Sequence, residues 1–126
     1  MTNYNKTIMV VEDDKDLSLL MNKKLTQEGF GVMLAETGQE AIDAMMQKPD
    51  LVLLDILLPD IDGLTVLAEM VKNPVTKKIP VIILSNLADH ASMEQAEAIG
   101  EYDYFVKART DLNTIVNKIK EKLNLK

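Results

Sequence analysis

The segment DLVLLDILLPDIDGL, Asp50 to Leu64, decides the fold. Residues 51–54 are an unbroken run of Leu and Val, short and apolar on both faces. That pattern suits a strand buried on both sides, as in a parallel sheet covered by helices. The run ends on a carboxylate, Asp55, and turns behind it through Pro59, Asp60, Asp62 and Gly63. Burying a carboxylate is costly unless something pairs with it, so the rest of the chain must supply a partner.

Outward from this segment the same rhythm repeats, a short apolar strand followed by an amphipathic helix. KTIMVV ends a first strand at Val11. A helix is expected over roughly Asp16 to Glu28, with Leu17, Leu20, Met21 and Leu25 on one face and Gly29 as its C-terminal cap. FGVMLA reads as the second strand. Thr37 and Glu40 have the spacing of a capping box at the head of a second helix. Leu64, Leu67, Ala68 and Val71 mark a third. IPVIILS is the fourth strand, with Pro80 tolerable at its start. A weak alanine-rich helix follows, carrying His90 as an exposed residue and ending at Gly100. YDYFVK is the fifth strand. Thr110 can cap a last helix with the stripe Leu112, Ile115, Val116, Ile119 and Leu123. Five strands alternating with five helices predict an α/β fold. The expected form is a doubly wound five-stranded parallel sheet in the flavodoxin-like order 2-1-3-4-5, with helices on both faces.

Composition narrows the function classes. The chain has 126 residues, the size of one domain, and 47% hydrophobic with 27% charged residues places it among ordinary globular proteins. A formal net charge of −6 argues against nucleic acid or an anionic membrane as a partner. There is no cysteine, which excludes disulfides and thiol chemistry. The N-terminus lacks a secretory pattern and no apolar run reaches spanning length, so a cytoplasmic setting is expected.

In such sheets ligands bind beyond the carboxyl ends of the strands. The first strand ends in Glu12 and Asp13, the third in Asp55, the fourth in Ser85 and the fifth in Lys107. Carboxylates crowded together disfavour one another's ionised form. A divalent cation resolves this, and magnesium prefers such oxygen ligands. A carboxylate can also act as a nucleophile and form an aspartyl phosphate. Phosphoryl transfer needs mainly positioning and neutralisation of charge. Magnesium (or manganese) on the Glu12 and Asp13 side, the Lys107 ammonium and the Ser85 hydroxyl would cover the phosphoryl oxygens. Asp55, at the centre, is the expected nucleophile. Pro59 and Gly63 would shape a turn presenting the Leu57 carbonyl to the metal.

On VVEDD, LLDILLPDIDG, VIILS and GEYDYFVK, in order and spacing, the chain resembles the receiver domain of two-component response regulators. The resemblance implies an acidic metal pair at Glu12 and Asp13, a phosphoacceptor at Asp55 and a backbone metal ligand at Leu57. It implies a hydroxyl switch residue at Ser85, an aromatic switch residue at Tyr104 and the family's lysine at Lys107. It further implies a signalling switch that promotes its own phosphorylation and slow dephosphorylation. A sensor histidine kinase or phosphotransfer protein would be the donor. The output partner would meet the face of helix four, strand five and helix five, with phosphorylation-dependent homodimerisation as one form of readout. A single receiver domain over 1–126, without an output domain, is expected. Two positions depart from the family. Ala108 follows the lysine in place of the usual proline, which leaves the isomer of the Lys107–Ala108 bond open. Asn86 follows the hydroxyl where a small residue is common, and is expected to narrow access to Asp55.

Each residue also has a plainer reading. Asp13, Asp14 and Asp16 suit a helix N-terminus. Asp55 suits a strand end, Asp60 and Asp62 suit turns and caps, and a lone lysine is usually a solvated charge. Their joint placement at four strand ends favours the functional reading. Other functions fit less well. A flavin carrier needs a phosphate-binding loop where EDDKD stands. A magnesium nuclease could use Glu12 with Asp60 and Asp62, but Pro59 separates that pair from its strand. A degenerate receiver would not keep the full set of site residues.

Overall fold

A computed structural model describes residues 3–86, 90–100 and 102–125. The strands are β1 (Thr7–Val11), β2 (Gly31–Ala35), β3 (Leu51–Leu54), β4 (Val81–Ser85) and β5 (Asp103–Val106). The helices are α1 (Lys15–Gln27), α2 (Gly38–Ala44), α3 (Gly63–Lys72), α4 (His90–Ile99) and α5 (Leu112–Lys122). All paired strands are parallel and run in the expected order β2-β1-β3-β4-β5. Among the described residues no helix is long and apolar enough to cross a membrane.

The unbroken apolar runs are buried on both faces, and their alternation divides the core in two. Met9, Val11, Val52, Leu54, Val81 and Ile83 face one way, onto Ala41, Val66, Leu67, Met70 and Ala96 of α2, α3 and α4. Ile8, Val10, Leu51, Leu53, Ile82 and Leu84 face the other way, onto Met21 and Leu25 of α1 and Ile115, Val116 and Ile119 of α5.

Several local readings are corrected. α1 turns Ser18, Met21 and Leu25 inward, while Leu20 is half exposed. Leu20 precedes Met21 by one residue, roughly 100° around the helix, and so misses the face that packs. For the same reason α3 buries Gly63, Val66, Leu67 and Met70 and leaves Val71 exposed. α5 is capped by Asp111, which accepts the Thr114 N–H at 2.8 Å. Thr110 instead donates its hydroxyl to the Val106 carbonyl at 2.9 Å, bracing the preceding turn. Thr37 caps α2 as expected, accepting the Glu40 N–H at 3.0 Å. The Glu40 carboxylate, however, reaches one residue further back, to the Glu36 N–H at 2.7 Å. Gly29 occupies the expected cap with φ of 100°, a conformation that favours glycine. The Lys107–Ala108 bond is trans. The side chain of His90, read as exposed, lies outside the described residues.

One long-range tie closes the α1/α5 layer. Lys120 on α5 reaches Glu28 at the end of α1, 3.0 Å away, and lies over the Tyr4 ring. The Lys120 bond holds the Glu28 carboxyl below its ordinary range. A depressed pKa adds stability above the unfolded value, and that contribution is lost as pH falls through the folded value. Glu28→Gln should therefore cost about 0.2–1 kcal/mol at neutral pH, the range for a partly exposed pair. The difference from the parent chain should vanish in acid, below the carboxylate range, when urea unfolding is followed against pH.

Candidate functional site

The register of the sheet brings the strand ends together. The Asp55 N–H bonds the Val11 carbonyl at 3.1 Å, which sets Asp55 beside Glu12. Glu12 and Asp55 are 4% and 5% exposed, so both carboxylates are nearly dry. Lys107, one residue past β5, donates to both, to Asp55 Oδ2 at 2.8 Å and to Glu12 Oε1. One ammonium thus clamps two carboxylates across three strands.

Asp13 completes the cluster. One oxygen each from Glu12, Asp13 and Asp55 lies within 4.8 Å of the others, an all-oxygen set suited to a hard divalent cation. These residues open onto a cleft of about 250 Å³ that Leu57, Asn86 and Lys107 also line. A larger groove of about 580 Å³ between α2 and α3 is lined by Ile42, Met45 and Met46 and, among the described residues, holds no such cluster.

Burial and hydrogen bonding together set the protonation of Glu12 and Lys107. Burial pushes the Glu12 carboxyl up to about 7, against the opposing bonds from Lys107 and the Asp14 N–H. Burial also works against the Lys107 ammonium, but its bonds to Asp55 and Glu12 prevail and hold its pKa above the ordinary lysine value. The positive charge is therefore permanent, while Glu12 can respond to what else enters the cleft.

The loop behind Asp55 is fixed from several sides. The Leu57 N–H bonds Asp55 Oδ1 at 3.2 Å, and the Gly63 N–H bonds the Ile56 carbonyl at 2.7 Å. Gly63 is required by close approach: a Cβ there would lie 2.2 Å from the Asp55 carbonyl oxygen. Asp62 caps α3 through the Thr65 N–H at 2.9 Å. Asp60 accepts from Gly38 and Gln39 at 2.8 and 3.0 Å. Both acids are engaged with backbone and neither belongs to the Glu12 cluster, which removes the basis for the nuclease reading.

The acidic run after β1 divides by role. Asp14 is the N-cap of α1, accepting from the Asp16 and Leu17 N–H groups at the edge of the cleft, and Asp13 is the one whose carboxylate joins those of Glu12 and Asp55. Ser85 is fully buried at the end of β4, and Tyr104 is half-buried on β5, packed against the α2/α3/α4 side of the core. Glu12, Asp55 and Lys107 stand two residues beyond Val10, Leu53 and Phe105, which face α1 and α5. Ser85 stands two beyond Ile83, which faces the other layer with Tyr104. The charged trio and the Ser85/Tyr104 pair therefore continue opposite faces of the sheet. Period-two counting from the core would have shown this division in the sequence. The Asp60 link had no such signal, because its partners lie 21 and 22 residues away.

Residues 8–120 match the family model for the response regulator receiver domain. The chain is 30% identical over 123 residues to sporulation initiation phosphotransferase F of Bacillus subtilis, covering 97% of each protein. It is 35% identical over 101 residues to the phosphate regulon transcriptional regulatory protein PhoB of Rhizobium meliloti, but spans only 44% of that longer relative. Among solved structures, the Mn(2+)-bound form of response regulator Rcp1 superposes with a TM-score of 0.80 at 29% identity, covering 92% of each chain.

The packing around Gly63 gives a direct test of how the loop is held. Gly63→Ala must push backbone away from Asp55, and overpacking of this kind costs about 1–3 kcal/mol or more. A lowered urea midpoint is expected, with shifted amide signals at Asp55 and Ile56. An unchanged midpoint would show that the loop is not constrained there.

Proposed function

Because the chain belongs to the response regulator receiver domain family, we propose that it is a phosphorylation-controlled signalling switch whose phosphoacceptor is Asp55. One observation carries the assignment: of the two carboxylates that stand both in the acidic cluster and on the Lys107 ammonium, Glu12 and Asp55, Asp55 is the one that closes the central strand β3. Its Oδ would attack the phosphorus of a phosphohistidine on a sensor kinase or phosphotransfer protein. The P–N bond breaks as the acyl phosphate P–O bond forms, and the imidazole leaves carrying a proton from solvent. Lys107, already bonded to Asp55, would keep one phosphoryl oxygen, and the Ser85 hydroxyl another. Attack by water on the same phosphorus would release phosphate and reset the switch, so the chain acts on itself rather than turning over a substrate.

Glu12, Asp13, Asp55 and the Leu57 carbonyl are the groups that would hold Mg2+ or Mn2+. When bound, such a cation supplies neutralisation of charge on the transferring group. The oxygen-only donor set supports this, as does the manganese carried by the Rcp1 neighbour.

The readout would run through the opposite face of the sheet. Ile83 pairs with Tyr104 and Ser85 with Val106, so Ser85 and Tyr104 are diagonal neighbours on adjacent strands. A phosphoryl group adds charge and acceptors that favour an inward Ser85. One charge-assisted hydrogen bond is worth about 1.5–3 kcal/mol, less than the ~5.5 kcal/mol that moves a population from 1:99 to 99:1. Lys107 and the loops must supply the remainder. The output partner, or a second copy of the chain, would meet the face of α4, β5 and α5. The acidic chain gives no reason to invoke nucleic acid or membrane at that face, and a cytoplasmic setting fits a kinase donor.

Two outcomes test this reading. Incubation with phosphoramidate and Mg2+ should add one phosphoryl mass increment per chain, and Asp55→Asn should abolish it; uptake by that variant at the parent rate would refute the assignment. Ser85→Ala and Tyr104→Ala should still accept the group at Asp55 but lose the induced amide shifts on β5 and α5. Parent-like shifts in both would refute the coupling while leaving the acceptor intact.

A further inference from the structure

We infer, resting on the reading of Asp55 as phosphoacceptor, that Asp60 is a positioning residue: it ties the loop after Asp55 to the turn between β2 and α2 and so holds Leu57 at the cleft. Both of its oxygens are used. Oδ1 takes the Gly38 N–H at 2.8 Å and Oδ2 the Gln39 N–H at 3.0 Å. The two loops also meet backbone to backbone beside this bond, since a Cβ on Gly38 would lie 2.8 Å from the Ile61 carbonyl oxygen. The N–H of Ile61, with those of Gln39 and Gly38, holds the Asp60 carboxyl below the usual range although it is exposed.

The rest of the loop explains why this contact bears on the site. Its start is fixed by the Leu57 N–H on Asp55 Oδ1, and its end by the Gly63 N–H on the Ile56 carbonyl. Between those points, among the described residues, Asp60 is the side chain of residues 56–61 that hydrogen-bonds another element. Leu57 lines the cleft with Asp55 and is 54% exposed, so its own side chain adds little to the packing of Ile56 and Leu58 on either side of it. Releasing Asp60 would free the segment that carries the Leu57 carbonyl. The competing account is that Asp60 merely caps α2. That account predicts lost stability and nothing at the cleft, as would follow from removing the other cap of the same helix, Thr37.

The test compares Asp60→Ala with Thr37→Ala in the full chain. Amide spectra are recorded first without metal or phosphodonor, then through a Mg2+ titration, and uptake from phosphoramidate is timed last. Both variants should lose stability. Only Asp60→Ala should move the Asp55 and Leu57 signals, weaken Mg2+ binding and slow uptake, by about threefold to tenfold for a misplacement well under 1 Å. Asp60→Asn, which keeps one acceptor, should recover part of each effect. Parent-like Leu57 signals in Asp60→Ala, or the same changes in Thr37→Ala, would overturn the inference. If the parent chain itself took up no phosphoryl group, the reading of Asp55 would fall, and the metal-free spectra would still decide the role of Asp60.

Discussion

The bonds from Lys107 to Glu12 and Asp55 are the constraint on which the rest of the site depends. Two carboxylates sit nearly dry at the open end of a parallel sheet, and one ammonium from a third strand end holds both. Leaving a buried charge without its partner costs about 3–5 kcal/mol. The arrangement is nevertheless incomplete, since three carboxylates face one ammonium. Burial relieves part of the excess by raising the Glu12 carboxyl to about 7. A cluster with that excess of carboxylate oxygens is one that a hard divalent cation could occupy.

Glu12, Asp55 and Lys107 continue the face covered by α1 and α5, whereas Ser85 and Tyr104 continue the face covered by α2, α3 and α4. The charged trio and the Ser85/Tyr104 pair are separated by one layer of backbone, with Ser85 fully buried at the end of β4. The trans Lys107–Ala108 bond and the short 3-10 turn Lys107–Arg109 place the lysine on both acids, so alanine in place of proline does not prevent that contact.

Much of this was legible in the sequence because the signals were redundant. The apolar runs 51–54 and 81–84 require burial on both faces, and alternation with helical segments leaves few topologies. That Glu12, Asp13, Asp55 and Lys107 meet could be read because each lies at or just beyond the end of a strand. What escaped depended on rotation or on distance. The inward faces of α1 and α3 differ by one residue from the most hydrophobic reading, since Ser18 and Met70 outcompete Leu20 and Val71 for the side that packs. Asp111 replaced Thr110 as cap because either residue type can serve and only the turn geometry chooses. The bonds from Asp60 to Gly38 and Gln39, and from Lys120 to Glu28, join residues with no periodic relation.

Cation binding is expected of a cleft left short of positive charge by its own residues. Its most direct measurement is the unfolding free energy in urea against Mg2+ concentration, with sodium chloride at matched ionic strength as the reference. A ligand bound only by the folded chain should raise stability by about 1.4 kcal/mol for each tenfold increase above its dissociation constant. Asp13→Ala should flatten that dependence. Stability that ignores magnesium, or a rise that Asp13→Ala leaves intact, would contradict the account.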